Sequence, residues 1–236
     1  MQRLPTFSQT LTKHHLHDRE ALTRLADVEV IAKGLRALPA LPKAFFERRT
    51  AVVARSLLGK ALVRSTRQGV SAGVIVEVEA YFGGGNDPAA HSHRGETERN
   101  GSMFRGGGTC YVYLSYGINH CMNVVPGAVG QGDGILIRAL APLAGASLMA
   151  KRRGVALDGS FRSWRGLANG PGKLTQALGI DLADNGGDYQ GSGLRLVDLG
   201  IRLGPRDIAA SPRIGISLAK DLLLRFTVRD SPWLSR

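Results

Sequence analysis

The chain of 236 residues is 43% hydrophobic and carries 31 Lys and Arg against 19 Asp and Glu, a formal net charge of +12. That length holds one large domain or two small ones with ample core, the apolar fraction is that of an ordinary globular protein, and no apolar run is long enough to span a bilayer. So strong a positive charge argues for a polyanionic partner and says nothing about fold.

In chain order, Leu11 to Asp18 is too polar to be the core of a signal peptide. Leu22, Leu25, Ala32, Leu35 and Leu38 fall near helical spacing and predict one amphipathic helix between about Arg19 and Leu38. Pro39-Ala40-Leu41-Pro42 then divides the chain into an N-terminal extension, residues 1–40, either one amphipathic helix or partly disordered, and a main domain, residues 41–236. Phe45 to Leu58 reads as a second helix closed by Gly59. Strands follow at Ala61 to Arg64, Gly73 to Tyr81, Thr109 to Ser115, His120 to Val125 and Gly134 to Leu140. Between the second and third lies a polar loop, Gly83 to Gly108, long enough to be either functional or disordered. Leu143 to Arg153 and Lys173 to Leu178 read as helices, and Leu222 to Val228 as a late strand. Short strands interrupted by helices without a βαβ rhythm argue for an α+β fold: a mostly antiparallel β core, peripheral helices and a protruding β-hairpin.

The chemistry concentrates in two of these strands. Side chains alternate along a strand, so Glu77, Glu79 and Tyr81 share one face and Val76, Val78 and Ala80 the other. On strand statistics alone, the three polar residues are the wet face of a half-buried strand. The next hairpin, however, carries Tyr111, Tyr113 and Tyr116. Tyr116-Gly117 falls where the chain must reverse, which places Tyr116 at a tip, where an exposed aromatic suits a wedge that unstacks a duplex. Two acids and a phenol beside three tyrosines suit hydrolysis at a flat, stackable ring. Charge agrees: from residue 91 to 180, ten basic residues face four acidic ones, a net of +6. A merely solvated basic surface is the plainer reading of that excess.

Other motifs fail. Gly170-Pro171-Gly172-Lys173-Leu174-Thr175 has Leu174 where a phosphate-binding loop needs Ser or Thr, and Leu167 where its first glycine belongs. His91, His93, His120 and Cys121 lack the Cys-x-x-Cys pair of a zinc deaminase, so no metal is expected. Gly83-Gly84-Gly85 lacks the strand-to-helix setting of a dinucleotide turn. Cys110 and Cys121, the only cysteines, supply no disulfide framework, although they could pair within the hairpin; a reducing cytosol is the default.

From about Leu41 onward the chain resembles the alkyladenine (3-methyladenine) DNA glycosylases of the mammalian type. The segments that carry the resemblance, in order, are Glu77-Val78-Glu79-Ala80-Tyr81, Ala89-Ala90-His91-Ser92, Arg99 to Phe104, Gly108 to Gly117, Cys121-Met122-Asn123-Val124, Leu136 to Leu143, Asn169 to Leu174 and Arg229 to Trp233. The resemblance implies a monofunctional DNA glycosylase of base excision repair. Such an enzyme flips an alkylated or deaminated purine (3-methyladenine, hypoxanthine, ethenoadenine) out of double-stranded DNA and cuts its N-glycosidic bond with an activated water. It implies Glu79 as general base, with Arg138 beside the water; Tyr81, His91, Tyr111, Tyr113 and Asn123 around the base; Tyr116 as the intercalating residue; and Thr97, Arg99 and Lys173 on the DNA backbone. Asn123 would crowd the exocyclic amino group of guanine. No cofactor or metal is implied, nor any membrane. The partner is duplex DNA with damaged purines and the protein a monomer, cytoplasmic and nucleoid-associated if bacterial, nuclear if eukaryotic. Asn119 departs from the family's pattern, standing where mammalian members carry an aromatic. Two other classes stay open: a nucleic-acid-binding protein without catalysis, and an unrelated glycoside hydrolase using Glu77 and Glu79 as an acid–base pair.

Overall fold

The computed structural model describes residues 12–18, 29–191 and 193–235. A curled antiparallel sheet organises it. Its path runs β3 (Cys110–Ser115), β4 (Asn119–Val124), β5 (Gly134–Ala144), β2 (Gly69–Tyr81), β1 (Ala61–Thr66) and β6 (Leu194–Val197). Two further strands, β7 (Ile208–Ser211) and β8 (Arg225–Val228), pair with each other, and β8 joins β2. The helices are α1 (Glu29–Ala37), α2 (Lys43–Phe46), α3 (Thr50–Leu57), α4 (Ala146–Arg153), α5 (Phe161–Gly166) and α6 (Pro171–Leu178). The fold is α+β.

β2 decides where the site can be. It is 13 residues long and keeps β5 on one edge from Ala72 to Tyr81, while its other edge is shared: β1 takes residues 69–74 and β8 takes residues 77–79. With both edges paired, the strand is buried from Val70 to Ala80. Val76, Val78 and Ala80 enter one apolar core with Val112, Met122, Val124, Ile135 and Ile137 from the neighbouring strands. Glu77 and Glu79 point the other way and are nevertheless 0% exposed. The wet-face expectation is therefore wrong, because β8 and the segment after β7 cover that side.

Several element bounds differ from the sequence reading for identifiable reasons. The expected helix over Phe45 to Leu58 is two helices. The Phe46 carbonyl accepts from the Gly127 N–H at 2.8 Å and the Phe45 carbonyl from Arg48 Nε at 2.8 Å, so neither continues an i to i+4 ladder. β5 runs on through Pro142 and Ala144, which pair with Gly73 and Ala72, where a helix was expected to begin at Leu143. The chain turns at Gly145 in the left-handed region (φ 67°), where a side chain would run into the Val70 carbonyl. α5, β6 and β7 carry too little periodicity to have been read.

Of the helix expected between Arg19 and Leu38, residues 19–28 lie outside the described residues; α1 covers the rest. Leu16 and Leu35 are both 0% exposed, and complete burial of a leucine is worth roughly 1.5–3 kcal/mol. Ser231 Oγ donates to the Leu16 carbonyl at 3.0 Å, and Lys13 pairs with Asp207 at 3.0 Å, so residues 12–18 pack against the C-terminal third of the chain.

Candidate active site

The site lies on the face of the sheet away from the main core, in a cleft of about 650 Å³. Its floor is a cluster of charges. Arg138 on β5 bridges two neighbours on β2, with Nε 3.0 Å from Glu77 Oε1 and Nη1 3.2 Å from Glu79 Oε2. The shared face predicted from strand alternation is thus present, and one guanidinium spans it. Glu77 also accepts from Arg225 Nε at 2.7 Å, Ser235 Oγ at 2.7 Å and Ser235 N at 2.6 Å. Burial alone would push its pKa up, but the hydrogen bonds from Arg225 and Ser235 outweigh burial and hold it below the ordinary 4.5. Glu77 is an anchor held by four hydrogen bonds, three of them on Oε1, and like Glu79 it does not itself line the cleft.

Glu79 is bound differently. Oε1 accepts from the Ile214 N–H at 2.7 Å, and Oε2 accepts from Tyr81 OH at 2.9 Å and from Arg138. A carboxylate offers about four acceptor sites, so one on Oε1 stays unfilled; Glu79 itself is fully buried and lies behind Tyr81, Arg138 and Ile214, which line the cleft. Tyr81 keeps its proton: burial, and then the Glu79 charge, raise its pKa far above the ordinary 10.

The aromatic wall comes from β3, where alternation sends Val112 to the core and Tyr111 and Tyr113 to the cleft. Their rings stack with centroids 5.4 Å apart, and His91 stands edge-on to Tyr113 at 4.5 Å. Burial, and then the nearby Arg99 charge, lower the His91 pKa, so the imidazole is neutral at pH 7. Its Nδ1 lies 3.0 Å from the hydroxyl of Tyr111, a phenol that burial pushes up to about 12 and so keeps protonated. Asn123, directly across from Tyr111 on β4, is 5% exposed and gives its amide N–H to the Tyr111 carbonyl at 3.2 Å. Cys121, also buried, faces Tyr113 in register. Cys110 faces Val124 instead, so the two thiols are not opposed; both are free.

At the rim stands Tyr116, 91% exposed. It takes φ 48° and Gly117 φ 70°, and the Ile118 N–H closes the turn on the Ser115 carbonyl at 3.1 Å. Two positive φ values in succession are the signature of a primed hairpin turn, and a tyrosine in that region is unusual enough to suggest function. Arg99, also at the rim, donates to the Leu114 carbonyl at 3.2 Å. Thr97 and Lys173 lie outside the cleft lining. Thr97 is exposed and its N–H bonds to Asn100 Oδ1 at 2.6 Å, whereas Lys173 is exposed on α6 with Nζ 3.0 Å from Asn169 Oδ1. The loop from Gly83 to Gly108 is pinned rather than loose: Asp133 holds the Gly83 N–H, and Asn100 Nδ2 holds the His91 and Gly95 carbonyls. Among the described residues no group of three or more His, Cys, Asp or Glu could hold a metal ion.

Five participants escaped the sequence reading: Asp87, Arg213, Ile214, Arg225 and Ser235. Asp87 lies in the loop after β2, and the other four meet β2 from more than 130 residues away; none belongs to a local pattern. Only the charge of Arg213 and Arg225, in a segment otherwise rich in apolar residues, was there to be noticed.

Residues 44–232 match the family model described as methylpurine-DNA glycosylase. Curated relatives that carry the provisional name 3-methyladenine DNA glycosylase are similar over most of their length. One from Methanoculleus marisnigri is 47% identical over 203 residues, 83% of this chain and 98% of the relative. One from Carboxydothermus hydrogenoformans is 42% identical over 196 residues, again 83% and 98%. One from Koribacter versatilis is 45% identical over 205 residues, 86% and 96%.

Proposed function

Since the chain belongs to the methylpurine-DNA glycosylase family and is a DNA glycosylase, we propose that it flips alkylated or deaminated purines from duplex DNA and hydrolyses the N-glycosidic bond with a water activated by Glu79. One observation carries this reading. Glu79 lies directly behind three residues that line the aromatic cleft, Tyr81, Arg138 and Ile214, each hydrogen-bonded to its carboxylate, and one of its acceptor sites is unfilled. In the reaction, water gives its proton to Glu79 while its oxygen bonds to the sugar's anomeric carbon. The glycosidic bond breaks with its electrons going to the base. The buried carboxylate also offsets the positive charge that develops on the sugar.

An N3-alkylated adenine is a cation before it leaves, so it needs little further protonation. Tyr81, Tyr113 and a neutral His91 offer π faces to it, and keeping His91 uncharged avoids like-charge repulsion. Asn123 shapes the floor, where it would crowd a guanine amino group. Arg99 at the rim, with Thr97 and Lys173 further out, would meet the phosphates. Glu77 is a poor partner for a paired-acid mechanism, because four hydrogen bonds from Arg138, Arg225 and Ser235 already hold it.

Single-turnover assays on duplexes with one 3-methyladenine, hypoxanthine or ethenoadenine should release the base and leave an intact abasic strand that breaks only in alkali. No covalent adduct should form with borohydride, since an amine nucleophile must reach the sugar and Lys173 does not line the cleft. A trapped complex that disappears in Lys173→Ala would replace water by that amine.

Tyr116→Ser should weaken lesion-duplex binding by about 1–3 kcal/mol, the usual worth of one aromatic stacked in a base's place. The rate on an already extruded base should change little. 2-Aminopurine fluorescence reports the flip directly, and an unchanged signal in the variant would remove Tyr116 from the wedge role.

A further inference from the structure

We infer that the buried Asp87–Arg213 ion pair is a positioning device for Glu79 and Tyr81, an inference that rests on the water-activation role given to Glu79. Both side chains are 0% exposed, and they meet at two points, Nη1 to Oδ2 at 2.5 Å and Nη2 to Oδ1 at 2.8 Å. Neither lines the cleft, so neither touches a bound base.

What they do touch is the frame around the reacting carboxylate. Arg213 Nη1 also donates to the Ala80 carbonyl at 3.0 Å, between Glu79 and Tyr81 on β2. The guanidinium lies 4.5 Å from the centre of the Tyr81 ring and fixes that ring's plane. The very next residue, Ile214, gives its N–H to Glu79 Oε1. Asp87 in turn accepts from the N–H groups of Phe82 at 3.2 Å and Ala89 at 3.1 Å, so it shapes the turn that leads from Tyr81 to His91. One ion pair therefore ties two cleft-forming segments to the end of β2.

Stability alone is a weak account of such a pair, because a buried ion pair is often no better than apolar residues of the same shape. Here the saturation is also incomplete. Arg213 Nε is buried with no hydrogen-bond partner among the described residues, which is a cost a purely stabilising contact would avoid. The charges around the floor nonetheless balance: Glu77, Glu79 and Asp87 face Arg138, Arg213 and Arg225. With the charges matched, Arg213 acts on the direction of Glu79 through its neighbour Ile214 and the Ala80 carbonyl.

The test compares wild type, Arg213→Lys and Asp87→Asn on a hypoxanthine duplex, each assayed well below its own melting temperature. Lysine keeps the charge but cannot hold Asp87 twice, bond Ala80 and cover Tyr81 together. Its single-turnover rate should fall on the order of 10²-fold, as expected for a small misplacement of a catalytic group. Binding to an abasic-analogue duplex should stay within about threefold, since the cleft lining is unchanged. Asparagine keeps the shape but has one acceptor oxygen, so it retains the bond from Phe82 or that from Ala89 and sets an NH₂ against Arg213. Because Asp87 stands one step further from Glu79, Asp87→Asn should still lose less than Arg213→Lys, roughly tenfold. In a Glu79→Gln background, adding Arg213→Lys should slow the residual reaction by far less than about 10²-fold, because only the part acting through Tyr81 remains. A full additional loss in that background, binding that falls in step with rate, or variants that merely melt lower at wild-type rate would each overturn the inference. A wild type that releases no base from any of the three lesion duplexes would instead overturn the proposed function itself.

Discussion

Glu79→Gln is expected to cut single-turnover excision by roughly 10²–10⁴-fold or more, the span that a general base contributes, while binding to an abasic-analogue duplex stays near wild type. The amide retains the side chain's shape but cannot take a proton from water. It also creates a local conflict. Its NH₂ must face either the Ile214 N–H or the Tyr81 and Arg138 donors, both of which now point at Glu79 oxygens. Leaving one buried donor unmatched costs about 1–3 kcal/mol, so the variant should melt somewhat lower yet fold. Rate and affinity are therefore measured at a temperature where circular dichroism shows it native. Turnover close to wild type there would remove Glu79 from the role of base.

Glu77→Gln should behave in the opposite sense. It leaves Arg225 partly unpaired at its buried end and takes a charge from Arg138, and breaking a buried ion pair from one side costs about 3–5 kcal/mol. For a domain of this size that is a fall in melting temperature of roughly 6–20 °C. The deficit should depend on pH. The Glu77 pKa is lowered on folding, because its bonds to Arg225 and Ser235 outweigh burial. The unfolded carboxylate binds protons more readily than the folded one, so this stabilisation is present above about 4.5 and is lost as pH falls through the lower, folded value. The gap between wild type and Glu77→Gln should be widest near neutrality and close in acid. A gap independent of pH, or excision lost to the same degree as in Glu79→Gln at equal foldedness, would restore a direct acid–base role for Glu77.

The two acids were legible as neighbours and illegible as different things. Strand alternation placed Glu77, Glu79 and Tyr81 on one face because their spacing of two survives the irregular pairing of β2 with β5, which shifts register on either side of Glu77. What separates the surroundings of the two acids is the set of donors, and those arrive from residues 214, 225 and 235, more than 130 positions away. No window of local sequence contains that information. The same holds at Phe46, where the helix breaks because a carbonyl is spent on Gly127. The aromatic wall was easier to read, since Tyr111 and Tyr113 need only a strand with one face in the core. Tyr116 needed only a place for the chain to reverse.

The double pairing of β2 also has a consequence in time. The backbone at Glu77 and Glu79 is clasped by β5 on one side and β8 on the other, so displacing the strand that carries the two carboxylates means opening the centre of the sheet, an event close to global unfolding in cost and rarity. The Tyr116 turn has no such neighbours, and an exposed hairpin tip rearranges within nanoseconds to microseconds. On the proposed function, probing of the helix and bond cleavage would run on separate clocks, the tip sampling many base pairs while the strand under the carboxylate stays in place.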